Sequence, residues 1–248
     1  MERADLFGIP IHLGPYRSFA DRIIEMAKSG ISSYVCVLNV HMLTEGFGDK
    51  QFGDVIRNAS LVTPDGKPIC WALKLMHNTT QDRVAGMDLL PDLLTEAVRE
   101  KLPVFFYGGS TKQLEATRSF LSQHYPGLEY SLYSPPFRPL TVEEDDKIVE
   151  RIRSSRARLI FAVLGCPKQE KWMASMNGRI NGVMVGIGGA LPVMVGLKPR
   201  APSWMQSAGL EWFYRLAQEP RRLFKRYAVT NSLFLFFLAK ALLRKRFA

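Results

Sequence analysis

The sequence predicts an α/β protein whose core is an open, mostly parallel sheet with helices on both faces. Apolar runs of strand length alternate with segments of helical period through roughly the first 190 residues. The central runs, such as 34–38 and 159–164, are almost continuously apolar, which is typical of strands covered on both faces. Glycine and polar residues follow several of these strands. We therefore expect them at the carboxyl edge of the sheet, where such folds bind ligands.

Turn residues and caps set the limits of the predicted elements. Gly30 ends the first helix, and Thr141 with Glu144 forms a capping box that opens a later one. Strands are predicted over 5–17 (a short strand with a turn), 34–38, 61–62, 104–107, 130–133, 159–164 and 183–187. Helices are predicted over 18–28, 42–57 (with a break near Gly46 and Gly48), 68–76, 89–101, 111–124 and 141–154. Together they predict a Rossmann-like α/β domain over residues 1–197.

A helical appendage is predicted over residues 198–248. The run from Val229 to Leu243 is rich in Leu and Phe, but residues 230–232 and Lys240 interrupt it, so it is predicted to be too short for a helix that spans a bilayer. Cations flank the run, which is the pattern of an amphipathic helix lying in the membrane interface. A core helix or an oligomer contact is the alternative.

Charge is concentrated in this appendage. The whole chain has a net charge of +10, and residues 198–248 hold eleven basic and two acidic residues, a net charge of +9. The remainder is nearly neutral, so the appendage is predicted to contact phosphates of lipid, nucleic acid or a substrate. Its leucines and phenylalanines form a block instead of alternating with basic residues, which argues against a groove for single-stranded nucleic acid.

Asp65 is the candidate catalytic base. It lies in Leu61-Val-Thr-Pro-Asp-Gly-Lys-Pro68, where an apolar run ends in a Pro-Asp-Gly turn. Such a turn holds a carboxylate at the mouth of a strand, where it can accept a proton. Aspartate before glycine is also an ordinary turn residue for local reasons, and this alternative needs no function.

Two other strand ends and one loop are candidate binding sites. Gly108 and Gly109 lie between a strand and a helix, so their backbone N–H groups are predicted to be free for phosphate, although such a pair is also a common tight turn. The stretch Gly165-Cys-Pro-Lys-Gln-Glu170 offers a cation and an amide, and Glu170 also suits the first turn of a helix. Arg83 is predicted either to bind phosphate or carboxylate or to pair with Asp88.

Several common chemistries lack their sequence patterns. There is no GxGxxG, no P-loop and no GxSxG. The three cysteines form no CxxC pair and the four histidines are scattered, so neither zinc nor another metal site is predicted. The acidic stretch Glu143-Glu-Asp-Asp146 fits the negative charge of a helix N-terminus.

Taken in order, the motifs of this chain resemble those of the WecG/TagA/CpsF glycosyltransferases. The resemblance covers nearly the whole chain and is carried by Thr63-Pro-Asp-Gly66, Arg83-Val-Ala-Gly-Met-Asp-Leu89, Phe106-Tyr-Gly-Gly109, Gly165-Cys-Pro-Lys-Gln-Glu-Lys-Trp172, Gly186-Ile-Gly-Gly189, Arg200-Ala-Pro-Ser-Trp204, and Gly209-Leu-Glu-Trp-Phe-Tyr-Arg-Leu216 with Glu219-Pro-Arg-Arg222 and Arg226-Tyr227.

The resemblance implies a bacterial UDP-sugar-dependent hexosyltransferase, bound peripherally to the cytoplasmic face of the inner membrane. Such an enzyme transfers a sugar of the N-acetylmannosamine, N-acetylmannosaminuronate or glucose type to a polyprenyl-diphosphate-linked sugar, with inversion and without a metal or other cofactor. A non-catalytic, membrane-bound nucleotide-sugar-binding subunit of a polysaccharide assembly complex is the alternative. Anionic membrane lipids are the expected further partner, nucleic acid is not, and a homo-oligomer is left open.

The resemblance also implies roles for individual residues. Asp65, Gln169 and Arg215 are the predicted catalytic residues. Residues that follow strands, together with Arg83, are predicted to bind the nucleotide-sugar: Asn39, Thr63, Gly66, Arg83, Gly108, Gly109, Gly165, Pro167, Lys168, Glu170, Gly186 and Gly189. Basic residues of the appendage are predicted to contact lipid diphosphate or the membrane: Arg200, Arg221, Arg222, Arg226, Lys240, Arg244, Lys245 and Arg246. Val37 and Pro192 depart from the family pattern, which leaves sugar specificity open.

Overall fold

A six-stranded parallel sheet forms the centre of the protein, which is described here from a computed structural model of residues 1–246. The strands of the sheet are β3 (Ser33–Leu38), β4 (Leu61–Pro64), β5 (Val104–Gly108), β6 (Tyr130–Tyr133), β7 (Leu159–Val163) and β8 (Val183–Gly186). Their order across the sheet is β4-β3-β8-β7-β5-β6. Before them, β1 (Arg3–Leu6) and β2 (Ile9–His12) pair as an antiparallel hairpin, where the sequence predicted a single short strand.

Twelve α-helices surround or extend from this sheet within the described residues. They are α1 (Tyr16–Ser29), α2 (Val40–Gly48), α3 (Lys50–Arg57), α4 (Lys67–His77), α5 (Gly86–Arg99), α6 (Thr111–His124), α7 (Val142–Ser154), α8 (Lys168–Met176), α9 (Leu191–Met194), α10 (Ser203–Ser207), α11 (Glu211–Gln218) and α12 (Pro220–Arg246). The predicted α/β class with helices on both faces is confirmed. The division of the chain at residue 198 stays a prediction.

Two apolar cores lie on opposite faces of the sheet, because side chains alternate along each buried strand. In β3, Cys36 and Leu38 pack toward α2, α3, α4 and α8, whereas Val35 and Val37 pack toward α1 and α5. Every residue of β3 is buried. This double burial explains why the central strands are almost continuously apolar.

Two helix boundaries can be compared with their predictions. The predicted break in the helix over 42–57 is present: α2 ends at Gly48, and the Asp49 carboxylate accepts a hydrogen bond from Phe52 N at 3.1 Å and caps α3. The predicted start of α5 at Leu89 is three residues late. Helix α5 begins at Gly86, which packs against Ala190 without a side chain of its own.

Helix α12 is much longer than the sequence indicated. The helix already begins at Pro220, since proline is tolerated in a first turn. Residues Pro220–Lys245 are therefore long and apolar enough to cross a membrane, judged by length and composition alone, and the prediction that this segment is too short is wrong. Along its length α12 packs on the body: its Phe237 ring lies 3.9 Å from that of Phe47 in α2, and Phe234 is buried against Phe7.

Candidate active site at the carboxyl edge of the sheet

The Pro64–Gly66 turn holds Asp65 at the carboxyl end of the edge strand β4. The Asp65 N–H donates to the carbonyl of Leu38 at 2.8 Å, so the turn is fastened to the end of β3. Gly66 has a φ of +97°, a conformation that favours glycine, and α4 starts at the next residue. Residue 65 is thereby fixed between two strand ends, which is the placement that the sequence predicted.

The pKa of Asp65 is raised to about 6. Burial is the largest cause, because it penalises the ionised carboxylate, and the negative charge of Glu211 acts in the same direction. Arg215, Arg83 and the side chain of Asn39 oppose the shift by stabilising the carboxylate. A carboxylate with this pKa is ionised at neutral pH and is a stronger base than an ordinary aspartate.

Asn39 and Thr63 reinforce the loops on either side of Asp65. Asn39 caps α2 by accepting a hydrogen bond from Met42 N at 3.1 Å, which leaves its amide N–H₂ group to favour the carboxylate. The buried Thr63 hydroxyl donates to Val84 O at 3.2 Å. The contacts of Thr63 join β4 to the loop that carries Arg83, so its structural role is clear, whereas its predicted contact with nucleotide stays a prediction.

Arg83 joins the body of the protein to the appendage. Its guanidinium donates to Asp88 at 2.7 Å and forms a second, short ion pair with Glu211 at the start of α11. Asp88 also accepts from Arg200 of the appendage. The pairing with Asp88 that the sequence left open is therefore present, and Arg200, predicted to contact lipid diphosphate, is paired with a carboxylate of the body.

Arg215 reaches across from α11 to the glycine-rich loop that follows β8. A Cβ atom built on Gly189 would lie 3.0 Å from Nη2 of Arg215, so the guanidinium rests directly on the backbone of this loop. Tyr227 of α12 lies beside Arg215. Burial raises the pKa of the Tyr227 phenol, and the positive charge of Arg215 opposes this shift. The structure thus brings two of the three predicted catalytic residues, Asp65 and Arg215, into one electrostatic environment.

Gln169 fastens the loops after β7 and β8 together. Its side-chain oxygen accepts from Gly165 N at 3.1 Å, and its amide nitrogen donates to the Glu170 carboxylate at 2.7 Å. Cβ atoms built on Gly186 or Gly188 would lie 2.8 and 2.9 Å from the Gln169 amide, so only glycine fits at these positions. Gln169 is buried, and its contacts in this structure position the loop.

The neighbours of Gln169 differ in their exposure. Lys168 is exposed, while Glu170 is fully buried and its second carboxylate oxygen has no hydrogen-bond partner within the described residues. Burial raises the pKa of Glu170, so this side chain is less readily ionised than an exposed glutamate. Gly165 and Pro167 complete the turn into α8, and the nucleotide contacts predicted for these four residues stay predictions.

The turn after β5 differs from its predicted geometry. Gly109 N donates to Val163 O at 3.1 Å, and Ser110 N donates to the Gln113 side chain at 2.8 Å in a capping box. The expectation that the N–H groups of Gly108 and Gly109 are free for phosphate is therefore wrong for Gly109, and the predicted contact of this turn with nucleotide stays a prediction. Gly108 serves close packing, because a Cβ there would lie 2.7 Å from Val163 O.

The predicted lipid-contacting cations divide into paired and exposed groups. Arg222 pairs with Glu219, which also pairs with Lys198, and Lys245 donates to Met76 O at 2.7 Å. Arg226 is half-buried. Burial lowers the pKa of His41, and the positive charge of Arg226 acts in the same direction. Within the described residues, Arg221, Lys240 and Arg244 are exposed and form no ion pair. The side chain of Arg246 lies outside the described part of the chain.

Comparison with known proteins identifies the family. The profile of the "Glycosyl transferase WecG/TagA/CpsF family" matches residues 4–248. The chain belongs to this family. Three relatives carry the name N-acetylglucosaminyldiphosphoundecaprenol N-acetyl-beta-D-mannosaminyltransferase. The Bacillus subtilis protein is 29% identical over 90% of this chain and 86% of its own length. The Bacillus spizizenii protein is 30% identical over 77% of this chain and 73% of its own length. The Staphylococcus aureus protein is 27% identical over 84% of this chain and 80% of its own length.

As a member of the WecG/TagA/CpsF family, the protein is a glycosyltransferase, and the resemblance inferred from its motifs is confirmed. Sequence reasoning assigned no role to Glu211 or Tyr227, which the structure places beside Arg83 and Arg215. A signal for Glu211 was present, because it lies one helical turn before Arg215. Within residues 1–246 no group of three or more His, Cys, Asp or Glu side chains could hold a metal ion, and metal independence stays a prediction.

Proposed function

We propose that this glycosyltransferase moves an N-acetylmannosamine-type sugar from a UDP-sugar to an N-acetylglucosamine carried on a polyprenyl diphosphate. The names of its relatives support both the sugar and the lipid-linked acceptor, and they favour N-acetylmannosamine over the uronate and glucose types that the motifs left open. The single observation that supports this mechanism is the placement of Asp65 at the carboxyl edge of the sheet, where its pKa is about 6 and the positive charge of Arg215 stabilises its carboxylate.

Asp65 acts as the base of an inverting displacement. Its carboxylate takes the proton of the acceptor hydroxyl while the hydroxyl oxygen forms a bond to the anomeric carbon of the donor. The bond from that carbon to the β-phosphate oxygen breaks, and the electron pair leaves with UDP. The products are the β-linked disaccharide on its lipid, UDP and the protonated Asp65, which releases its proton to solvent.

Arginines supply the positive charge that the leaving diphosphate needs. Arg215 rests on the Gly189 loop close to Asp65, and the ion pairs of Arg83 hold α11 against the same edge. Since the acceptor diphosphate is anchored in a bilayer, the cationic appendage serves to bring this edge to the membrane. The enzyme acts at the cytoplasmic face of the inner membrane, as a peripheral protein and without a metal.

The test combines Asp65→Asn with a panel of UDP-sugars and a polyprenyl-diphosphate-linked N-acetylglucosamine, with products weighed by mass spectrometry. Wild type is expected to transfer N-acetylmannosamine, and Asp65→Asn is expected to retain UDP binding but lose at least roughly a hundredfold in turnover. The control is Asp146→Asn, which removes a surface carboxylate that pairs with Arg179.

Two outcomes would contradict the proposal. Turnover of Asp65→Asn close to that of wild type would remove Asp65 from the role of base. UDP-sugar binding by wild type without any release of UDP in the presence of the lipid acceptor would instead favour the non-catalytic nucleotide-sugar-binding subunit.

A further inference from the structure

The outer face of α4 carries exposed apolar side chains in the body of the protein. Trp71 and Leu75, one helical turn apart, are 51% and 53% exposed. The opposite face of α4 is buried through Ile69, Ala72 and Leu73. The helix contains lysines at positions 67 and 74 and no acidic residue. Trp, Leu and Lys on the exposed face of an amphipathic helix are typical of contact with a membrane interface.

The exposed face of α4 continues into the appendage. The Trp71 ring lies against the turn between α10 and α11, since a Cβ built on Gly209 would be 2.8 Å from Trp71 Cη2. Further exposed large apolar residues follow in α10, α11 and α12: Trp204, Trp212, Phe213, Phe224, Val229, Leu233, Leu235, Phe236 and Leu243. Trp71 is therefore joined to this series and is not an isolated surface residue.

The charge of this surface selects an anionic partner. Glu211 and Glu219 are the two acidic residues after position 197, and both are engaged in ion pairs, with Arg83 and with Lys198 and Arg222. Among the described residues, Arg221 and Lys225 form no ion pair and are exposed. A second copy of the chain would bring the same cationic surface against itself in a two-fold contact, which is electrostatically unfavourable. Anionic lipid offers both opposite charge and an apolar interior.

We propose that α4 is a second membrane-contact element, by which the body itself lies on an anionic bilayer beside the appendage. Trp71 and Leu75 enter the boundary between head groups and acyl chains. Asp65 lies two residues before the start of α4 at Lys67, and Trp71 lies four residues after Lys67, about 6 Å along the helix at a rise of about 1.5 Å per residue, so the base is close to the lipid contact. The hydroxyl of the lipid-linked acceptor sugar then meets Asp65 close to the membrane surface. This inference rests on the proposed membrane association of the enzyme.

Single-tryptophan variants of the full chain test the contact. The chain has four tryptophans, and in each variant the other three are replaced by phenylalanine, so that only Trp71, Trp172 or Trp212 remains. Fluorescence is measured on phosphatidylglycerol vesicles with brominated acyl chains. Trp172 is the internal control, because its ring stacks 4.0 Å from Tyr107 and its Nε1 is buried.

We expect quenching of Trp71 and Trp212 and none of Trp172. Quenching of Trp212 without Trp71 would overturn the role of α4 while leaving the appendage on the membrane. Absence of quenching for both would overturn the membrane association as well. The two failures are thus distinguishable.

A second measurement does not depend on the tryptophan replacements. Leu75→Asp is expected to weaken sedimentation with phosphatidylglycerol vesicles by about tenfold or more, because a leucine side chain leaves the apolar phase. Ile31→Asp is the matched control: Ile31 is 70% exposed and precedes β3 at the amino edge of the sheet. Both variants are expected to keep wild-type turnover on a water-soluble, short-chain acceptor. Equal vesicle binding by the two variants would overturn the proposal.

Discussion

At the scale of single residues, the base is shaped by opposing effects around one carboxylate. Burial and Glu211 raise the pKa of Asp65, whereas Arg215 and Arg83 lower it, and the balance is a pKa of about 6. If the arginines fully cancelled the effect of burial, the pKa of Asp65 would be that of an ordinary aspartate and the carboxylate would be a weaker base. Without the arginines the pKa would be higher still, and less of the carboxylate would be ionised at neutral pH. Glu211 therefore acts on the reaction through Asp65 as well as through its ion pair with Arg83.

The pH dependence of activity tests this balance. Since Asp65 must be ionised, kcat/KM is expected to be level above pH 7 and to fall about tenfold per unit of pH below pH 6. Glu211→Gln removes a negative charge that disfavours the carboxylate, so the midpoint moves to lower pH. Arg215→Gln removes a positive charge that favours it, so the midpoint moves to higher pH.

The control for these shifts is Glu219→Gln, which removes the other acidic residue of the appendage. Glu219 pairs with Lys198 and Arg222 and is not among the charges that shift the pKa of Asp65. The midpoint of its kcat/KM profile is expected to match that of wild type. If Glu211→Gln left the midpoint unchanged or raised it, the coupling between Glu211 and Asp65 would be refuted.

Only part of this residue-scale arrangement is readable from the sequence. The Pro-Asp-Gly turn is a local pattern, so the presentation of Asp65 could be predicted from its neighbours alone. The ion pair between Arg83 and Glu211 joins residues 128 positions apart in the chain, and no local pattern encodes it. The same holds for the Gln169 side chain, whose contacts depend on two loops meeting after folding.

At the scale of elements, helix existence was more predictable than helix ends. Helix α6 was predicted over its full extent, because Gly108-Gly109-Ser110 marks its start and its period is regular. The extent of helix α12 was mispredicted, because only the apolar run from Val229 to Leu243 was considered, whereas the helix begins at Pro220, a residue type that is compatible with the first turn of a helix. The turn before α6 was also misjudged, since Gly109 N donates to Val163 O.

The turn between α10 and α11 sets the position of Arg215, and Gly209→Ala tests that link. Gly209 has a φ of +73°, and an added Cβ would collide with the Trp71 ring. Shifting α11 away from α4 moves Arg215 off the Gly189 loop, so turnover is expected to fall between roughly tenfold and a hundredfold. Activity is measured on a short-chain, water-soluble acceptor, together with thermal unfolding.

Gly178→Ala separates this steric effect from backbone strain. Gly178 has a φ of +84°, and a Cβ there would meet no atom within 4 Å. Both variants are expected to lose on the order of 1 kcal/mol of unfolding free energy from the unfavourable φ. Only Gly209→Ala is expected to lose activity. Equal activity in the two variants would show that the α10–α11 turn does not position the site.

At the scale of the whole molecule, strand and helix alternation predicted the class of fold, but not how the appendage folds back. The strand order β4-β3-β8-β7-β5-β6 and the position of α12 on the body depend on contacts between residues that are distant in the sequence. Phe7 illustrates this: it occupies a hairpin turn with a φ of +57°, and its ring packs against Phe234 and Phe237 of α12. The sequence predicted this segment as a short strand with a turn, which gave no indication that it packs against the C-terminal helix.

Removal of the appendage is the corresponding whole-molecule experiment. A chain ending at Pro199 keeps nearly all of both core clusters, of which Phe234 is the member contributed by α12. We expect it to unfold cooperatively and to bind anionic vesicles more weakly than the full chain, because only the membrane contact proposed for α4 remains. It loses Arg215 and the Glu211 partner of Arg83, so we expect it to be nearly inactive even on a water-soluble, short-chain acceptor, where recruitment to a membrane is not needed.

Comparison with full-length Arg215→Ala then separates the two contributions of the appendage. If the appendage completes the site mainly through Arg215, the truncated chain and Arg215→Ala lose turnover by similar factors on the soluble acceptor. On the lipid acceptor in vesicles the truncated chain loses more, because it also loses the membrane contacts of α10, α11 and α12. Full activity of the truncated chain on the lipid acceptor would show that the appendage neither completes the site nor brings the enzyme to its substrate.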